Sequence, residues 1–255
     1  MRGPLTRLPG LLLSLVSFVA VAAAGEPAAH AADPSKPHPS PYRFRLGLDL
    51  PLVGLSLAGA SAVLVPPAAP SCLPRCEPPS GMNDLDRRVL GNYSTAAHTA
   101  ADIVVAALLV VPHAVNLATV DRRSWLEDAA LSAEAVLLAQ GLTQVVKLAS
   151  ARPAPIVYDE AVPLEERTSR DALRSFWSGH TATAFSAATS FAVSYWIRNP
   201  RDPWRWVVLA TLESAALAVG LLKLRAGYHY PSDVFAGAAL GVSVGVLVPT
   251  LHRTF

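Results

Sequence analysis

WVVLATLESAALAVGLL (Trp206–Leu222), KLRAGYHYPSD (Lys223–Asp233) and VFAGAALGVSVGVLVPTL (Val234–Leu251) follow one another without a break. The two outer runs are predominantly apolar, with Glu213 their one charged residue, and approach the roughly 20 residues that a helix needs to cross a bilayer. Neither alternates apolar with polar residues as a half-buried strand would, so both read as helices. The polar link between them carries two basic residues, a histidine between two tyrosines, and an aspartate, at a helix end.

Moving outward, further apolar runs occur at Leu46–Val65, Ile103–Thr119, Leu126–Leu148 and Thr181–Ile197. The expectation is an all-α bundle of about five or six mostly transmembrane helices. Composition agrees: 52% of the 255 residues are hydrophobic and 16% charged, against about 25% charged in ordinary soluble domains. A net charge of +2 without a basic stripe gives no reason to expect a nucleic-acid partner. No obligatory protein partner is inferred.

Leu126–Leu148 is the least lipid-like run, because it holds Glu127, Asp128, Glu134, Gln140 and Gln144. Such groups at membrane depth face a bundle interior or a cavity; otherwise the start of this run lies outside the membrane. Leu46–Val65, with Asp49 and Pro51, reads as a poor span that lies in the interface or packs against the bundle.

Residues 1–31 have the form of a signal peptide or N-terminal anchor. Arg2 and Arg7 precede an apolar run from Leu11 to Ala24, and small-x-small patterns follow at Ala22–Ala24 and Ala29–Ala31. Residues 32–45 then read as a flexible linker and 46–255 as the helical domain, with its motif-bearing core at about 84–251. Export would favour a local disulfide between Cys72 and Cys76, the alternative being two free thiols.

Arg122, Arg123, Arg198, Arg201, Arg205 and Arg253 fall on links that the positive-inside tendency puts in the cytoplasm. The loops around 150–178 and 223–233 then face the extracytoplasmic (periplasmic) side of a cell membrane together.

Those loops hold the chemistry. In Phe176-Trp177-Ser178-Gly179-His180-Thr181, Ser178 can cap a helix whose free amides suit a phosphate, and His180 can donate a proton. In His229-Tyr230-Pro231-Ser232-Asp233, Pro231 starts a helix, and Asp233 can orient one nitrogen of His229 while the other attacks phosphorus. Lys147, Arg152, Lys223 and Arg225 supply positive charge at neighbouring segment ends. His30, His38, His98, His113 and His252 show no partner spacing and receive no role.

These two clusters, with a third at Lys147-Leu-Ala-Ser-Ala-Arg152-Pro153, together resemble the signature of the type-2 phosphatidic acid phosphatase and vanadium haloperoxidase superfamily, over about residues 84–251. That signature runs Lys-x6-Arg-Pro, then Pro-Ser-Gly-His, then Ser-Arg-x5-His-x3-Asp. The resemblance implies that His229 is a nucleophile forming a phosphohistidine, that Asp233 orients it, and that His180 protonates the leaving group. It implies phosphate binding by Lys147, Ser178 and Gly179, and no requirement for a metal or other cofactor. The substrate it implies is a lipid phosphate or diphosphate of the phosphatidate or polyprenyl diphosphate type. Alternatives are a non-specific acid phosphatase acting on small soluble phosphomonoesters, or a weakly active relative that binds phosphorylated lipid.

Three positions depart from the signature. The first arginine falls on Ala154, with Arg152 two residues early; the second falls on Lys223, with Arg225 two residues late; Trp177 precedes Ser178 in place of proline. A lysine cannot reproduce the two-pronged fork of arginine. Loss of one clamp donor typically costs about 100- to 1000-fold in rate.

Overall fold

The computed structural model describes residues 40–254; the expected leader and most of the expected linker lie outside the described residues. Six long helices make the bundle: α1 (Leu46–Ala60), α2 (Thr95–Thr119), α3 (Arg122–Ser150), α4 (Gly179–Arg198), α5 (Trp204–Ala226) and α6 (Pro231–His252). No multi-residue strand occurs among the described residues; an isolated bridge joins Tyr42 to Arg253. Residues expected at the end of a flexible linker are packed instead: Tyr42 is buried, and the Arg43 amide donates to the His252 carbonyl at 2.8 Å.

The chain enters helices where side chains satisfy the first free amides. Ser94, Asp121 and Ser178 cap α2, α3 and α4 in this way, and Pro231 opens α6. Five helical stretches are long and apolar enough to cross a membrane: Leu46–Leu64, Thr95–Thr119, Arg122–Tyr158, Trp204–Ala226 and Pro231–His252. The first, expected in the interface or packed against the bundle, is long and apolar enough to span and packs against α3. Its troublesome Asp49 is paired with the His252 imidazole at 2.6 Å, and its Gly59 and Ser56 lie against Gly141 of α3.

The sixth run, expected as another apolar span, differs in kind. Helix α4 packs against α2, α3, α5 and α6, so it meets protein rather than lipid on nearly every side. It is accordingly built of small and hydroxyl residues, with Thr181, Ala184, Ser186, Ala188 and Ser190 essentially inaccessible. The polar residues of α3 face inward too. Glu127 and Asp128 both pair with Arg198 of α4, at 2.9 and 2.8 Å. Gln140 donates to the Gly179 carbonyl at 2.9 Å.

Helices α4 and α6 run parallel, both starting at the same end of the bundle, and their contact is unusually close. A Cβ on Gly237 would lie 2.6 Å from the Ser178 carbonyl oxygen, on Gly241 2.7 Å from that of Ala182, and on Gly245 2.6 Å from Thr189. Real Cβ atoms do not approach that near, so only glycine permits this separation. The same end carries two long connections, 65–94 and 151–178, and the Cys72–Cys76 disulfide lies in the first. The opposite end gathers Arg43, Arg122, Arg123, Arg198, Arg205 and Arg253.

Gly241→Leu must push α6 off α4, because the obstruction is backbone; overpacking of this kind costs about 1–3 kcal/mol or more. The expected result is a lower melting temperature in detergent together with lost activity. Gly54→Leu, where a side chain meets open space, should leave both unchanged.

Candidate active site

The parallel pair brings two helix N-termini to one place. Ser178 caps α4, its own amide donating to the Asp233 carbonyl at 3.1 Å, so the cap of one helix is bonded to the first turn of the other. Beyond it, the Gly179 and His180 amides make no hydrogen bond among the described residues. They are the free donors that a helix start presents to an anion, and the dipoles of α4 and α6 reinforce them.

His229 sits in the short link between α5 and α6. Gly227, with φ at +81°, turns the chain there, and a Cβ on it would fall 2.0 Å from the Asn92 carbonyl oxygen. The imidazole is buried, and its Nδ1 lies 3.6 Å from Asp233 Oδ2. Nδ1 therefore faces the carboxylate and Nε2 is the nitrogen left for attack. Burial, joined by nearby Lys147, holds the His229 pKa below its ordinary value against the pull of Asp233. Burial thus favours the neutral, nucleophilic form of the ring.

The Asp233 carboxylate is held by a bond to each oxygen. Its Oδ2 accepts from the Tyr230 amide at 2.9 Å, closing a capping box, and its Oδ1 accepts from Arg152 at 2.6 Å. Arg152 also binds Ser232 Oγ and Asp86 Oδ2, each at 2.8 Å, and its guanidinium lies 3.9 Å above the Tyr230 ring. The expected phosphate donor is therefore tied to the acid behind the nucleophile. Asp86, which sequence reading passed over, is the other anchor, accepting from Arg152, Ser232 and Asn83. Burial alone would raise the Asp86 pKa; those bonds bring it below the ordinary value.

The other cations divide. Lys147 is buried at the site and donates to the Arg174 carbonyl. Lys223 is fully buried and donates to Asp102 at 2.8 Å. Arg225 points away, exposed and without an ion pair among the described residues. Ala154, at the position of the missing arginine, is buried against Ile156 and Ala172 and puts no charge there.

A carboxylate joins the cations. Asp102 of α2 lies 3.0 Å from His180 Nε2. Asp171, on the 151–178 connection, is an exposed residue without an ion pair among the described residues; desolvation of its carboxyl would raise its pKa, but the charge of Lys147, with His180, His229 and Lys223, holds it below the ordinary value. His98, given no role from sequence, lies 3.6 Å from Asp102 and stacks on Tyr228 with centroids 4.4 Å apart. A lone aspartate near the start of the apolar run at 103–119 was the signal available for Asp102.

Asp86→Ala leaves Arg152 without one of its two carboxylates and should cost about 3 kcal/mol or more, read as a lower melting temperature. The same network sets a pH dependence. Because the Asp86 pKa is depressed by folding, its contribution is present above the unfolded value and is lost as pH falls through the folded one. The native protein should therefore lose stability in strong acid more steeply than Asp86→Asn.

The comparisons with known proteins point the same way. The family model described as PAP2 superfamily matches residues 128–255. A lipid A 1-phosphatase of Porphyromonas gingivalis is 41% identical over 81 residues, 32% of this chain and 17% of that protein. A probable diacylglycerol pyrophosphate phosphatase of Schizosaccharomyces pombe is 29% identical over 93 residues, 34% of this chain and 33% of its own. The bacitracin transport permease protein BcrC of Bacillus licheniformis is 39% identical over 74 residues, 29% of this chain and 32% of its own. The matches thus span a third or less of each relative's length, and no solved structure matches the chain. With the family model covering half the sequence and both motif helices, the chain belongs to the PAP2 superfamily.

Proposed function

We propose that this chain is a metal-independent phosphatase that hydrolyses a lipid phosphate or diphosphate through a phosphohistidine on His229. One observation carries the reading: a buried histidine whose Nδ1 faces Asp233 stands where two helix N-termini and Lys147 converge. In the first step His229 Nε2 bonds to phosphorus as the bond to the leaving oxygen breaks, and His180 gives that oxygen a proton. The Gly179 and His180 amides and Lys147 hold the phosphoryl oxygens. Water then bonds to phosphorus and gives a proton to His180 as the phosphorus–nitrogen bond breaks, so inorganic phosphate leaves and both histidines return to their starting states.

Lipid rather than soluble substrate is favoured by the setting. Leu148, Leu221 and Phe235 are exposed on the helix turns beside Lys147, Lys223 and Asp233, where an acyl or prenyl chain would lie. The named activities of two relatives, on lipid A and on diacylglycerol pyrophosphate, support that class. An extracytoplasmic site is supported by the arginines at the opposite end and by the disulfide at this one. The reading as a weakly active relative draws on Ala154 and Lys223, neither of which offers phosphate a free cation.

Phosphate release from phosphatidate and from a polyprenyl diphosphate, measured in detergent with chelator present, tests the proposal. Native protein should release phosphate, and His229→Ala should lower the rate by about a thousandfold or more. Silence from native protein on every phosphate ester, or undiminished release by the variant, would reject it. His180→Asn should slow an alkyl phosphate far more than a nitrophenyl phosphate, whose leaving group needs no proton. Equal slowing would remove His180 from the acid role.

A further inference from the structure

Lys223 poses a problem of charge. It stands on the innermost face of α5 with no accessible surface, and an ammonium buried without a partner would be strongly unfavourable. Its partner is Asp102 Oδ1 at 2.8 Å. The same oxygen lies 3.0 Å from His180 Nε2. One carboxylate oxygen thus engages the proton donor and the cation at the position of the signature's second arginine, the two groups that a phosphoryl oxygen and a leaving oxygen would use. Unlike Lys223, the Asp102 side chain is about half exposed, at 46%, so it can swing out of the cleft. His98, one turn earlier on α2, lies 3.6 Å from the second carboxylate oxygen and gives the displaced group a neighbour.

We propose that Asp102 is a specificity-determining residue: an internal anion that fills the phosphate position until a substrate displaces it. The inference rests on the phosphatase reading above and deepens it. An anion that brings only its own charge must break two charge-assisted contacts to enter and so binds weakly. A phosphorylated lipid brings apolar contacts as well, and these help to drive the displacement. Asp102 therefore selects amphiphilic phosphates over small soluble ones and weakens retention of the inorganic phosphate product. It also accounts for lysine at 223, because the pair is complete without a guanidinium fork.

The test uses the full chain in detergent, with orthovanadate and inorganic phosphate as probes in titration calorimetry. Asp102→Asn keeps the shape and removes the charge; it should bind vanadate tighter by roughly tenfold or more. Asp102→Glu, which keeps the charge, should stay close to native affinity. In turnover, Asp102→Asn should lower KM for a short-chain phosphatidate more than for a long-chain one, reducing the preference for the long chain. Asp102→Ala serves the same purpose if the asparagine variant does not fold. Vanadate affinity that is unchanged or weaker in the neutral variants overturns the proposal, as does equal tightening by Asp102→Glu. Tighter vanadate binding by Asp102→Asn in a protein that hydrolyses nothing would uphold the internal anion and overturn the phosphatase reading instead.

Discussion

Gly237, Gly241 and Gly245 let α6 lie backbone against backbone along α4, and the site depends on that contact. The two helices begin at the same end, so their separation fixes the distance from the Gly179 and His180 amides to the His229 ring. Any side chain at these three places would force the two backbones apart and displace the reacting groups from one another. The Ser178–Asp233 bond is the last link of the same contact. At the far end, Arg198 clamped between Glu127 and Asp128 holds α4 against α3.

Around this frame the charges are arranged in two tiers. The outer tier, Asp86 and Arg152, stiffens Asp233 and touches no reacting group. The inner tier, Lys223 paired with Asp102 beside His180 and Lys147 near His229, carries a formal charge of only about +1 before either histidine protonates. Such a cleft recognises phosphate by fixed donors and helix ends more than by excess positive charge. This compensated charge distribution is compatible with burial at a membrane interface, where a concentrated unpaired charge would be costly.

Much of this was legible in the sequence. The long apolar runs give the helices, and the spacing of Ser178, Gly179, His180, His229 and Asp233 marks the places that the structure brings together. What was not legible depends on contacts between distant parts of the chain. Asp86 meets Arg152 and Ser232, and Asp102 meets Lys223, across separations that leave no local pattern. His98 and His252 have no partner by sequence spacing, yet they meet Asp102 and Asp49 once the bundle forms. Arg152 shows the opposite difficulty: a cation beside a phosphate motif was assigned to the phosphate, and the fold spends it on Asp233. The polar content of α4, which weakens its likeness to a membrane span, follows from its place at the centre.

The connections at the site end differ greatly in length, and this bears on how such a protein can change over evolutionary time. His229 stands on the short link 227–230, bounded by the Gly227 turn and the capping box of α6, where an insertion would break the geometry at once. The segments 65–94 and 151–178 are long, and the first carries its own covalent brace. Residues can be gained, lost or exchanged in much of those covers while the reacting groups stay where they are. Diversification of what enters the cleft is thereby uncoupled from conservation of what happens inside it.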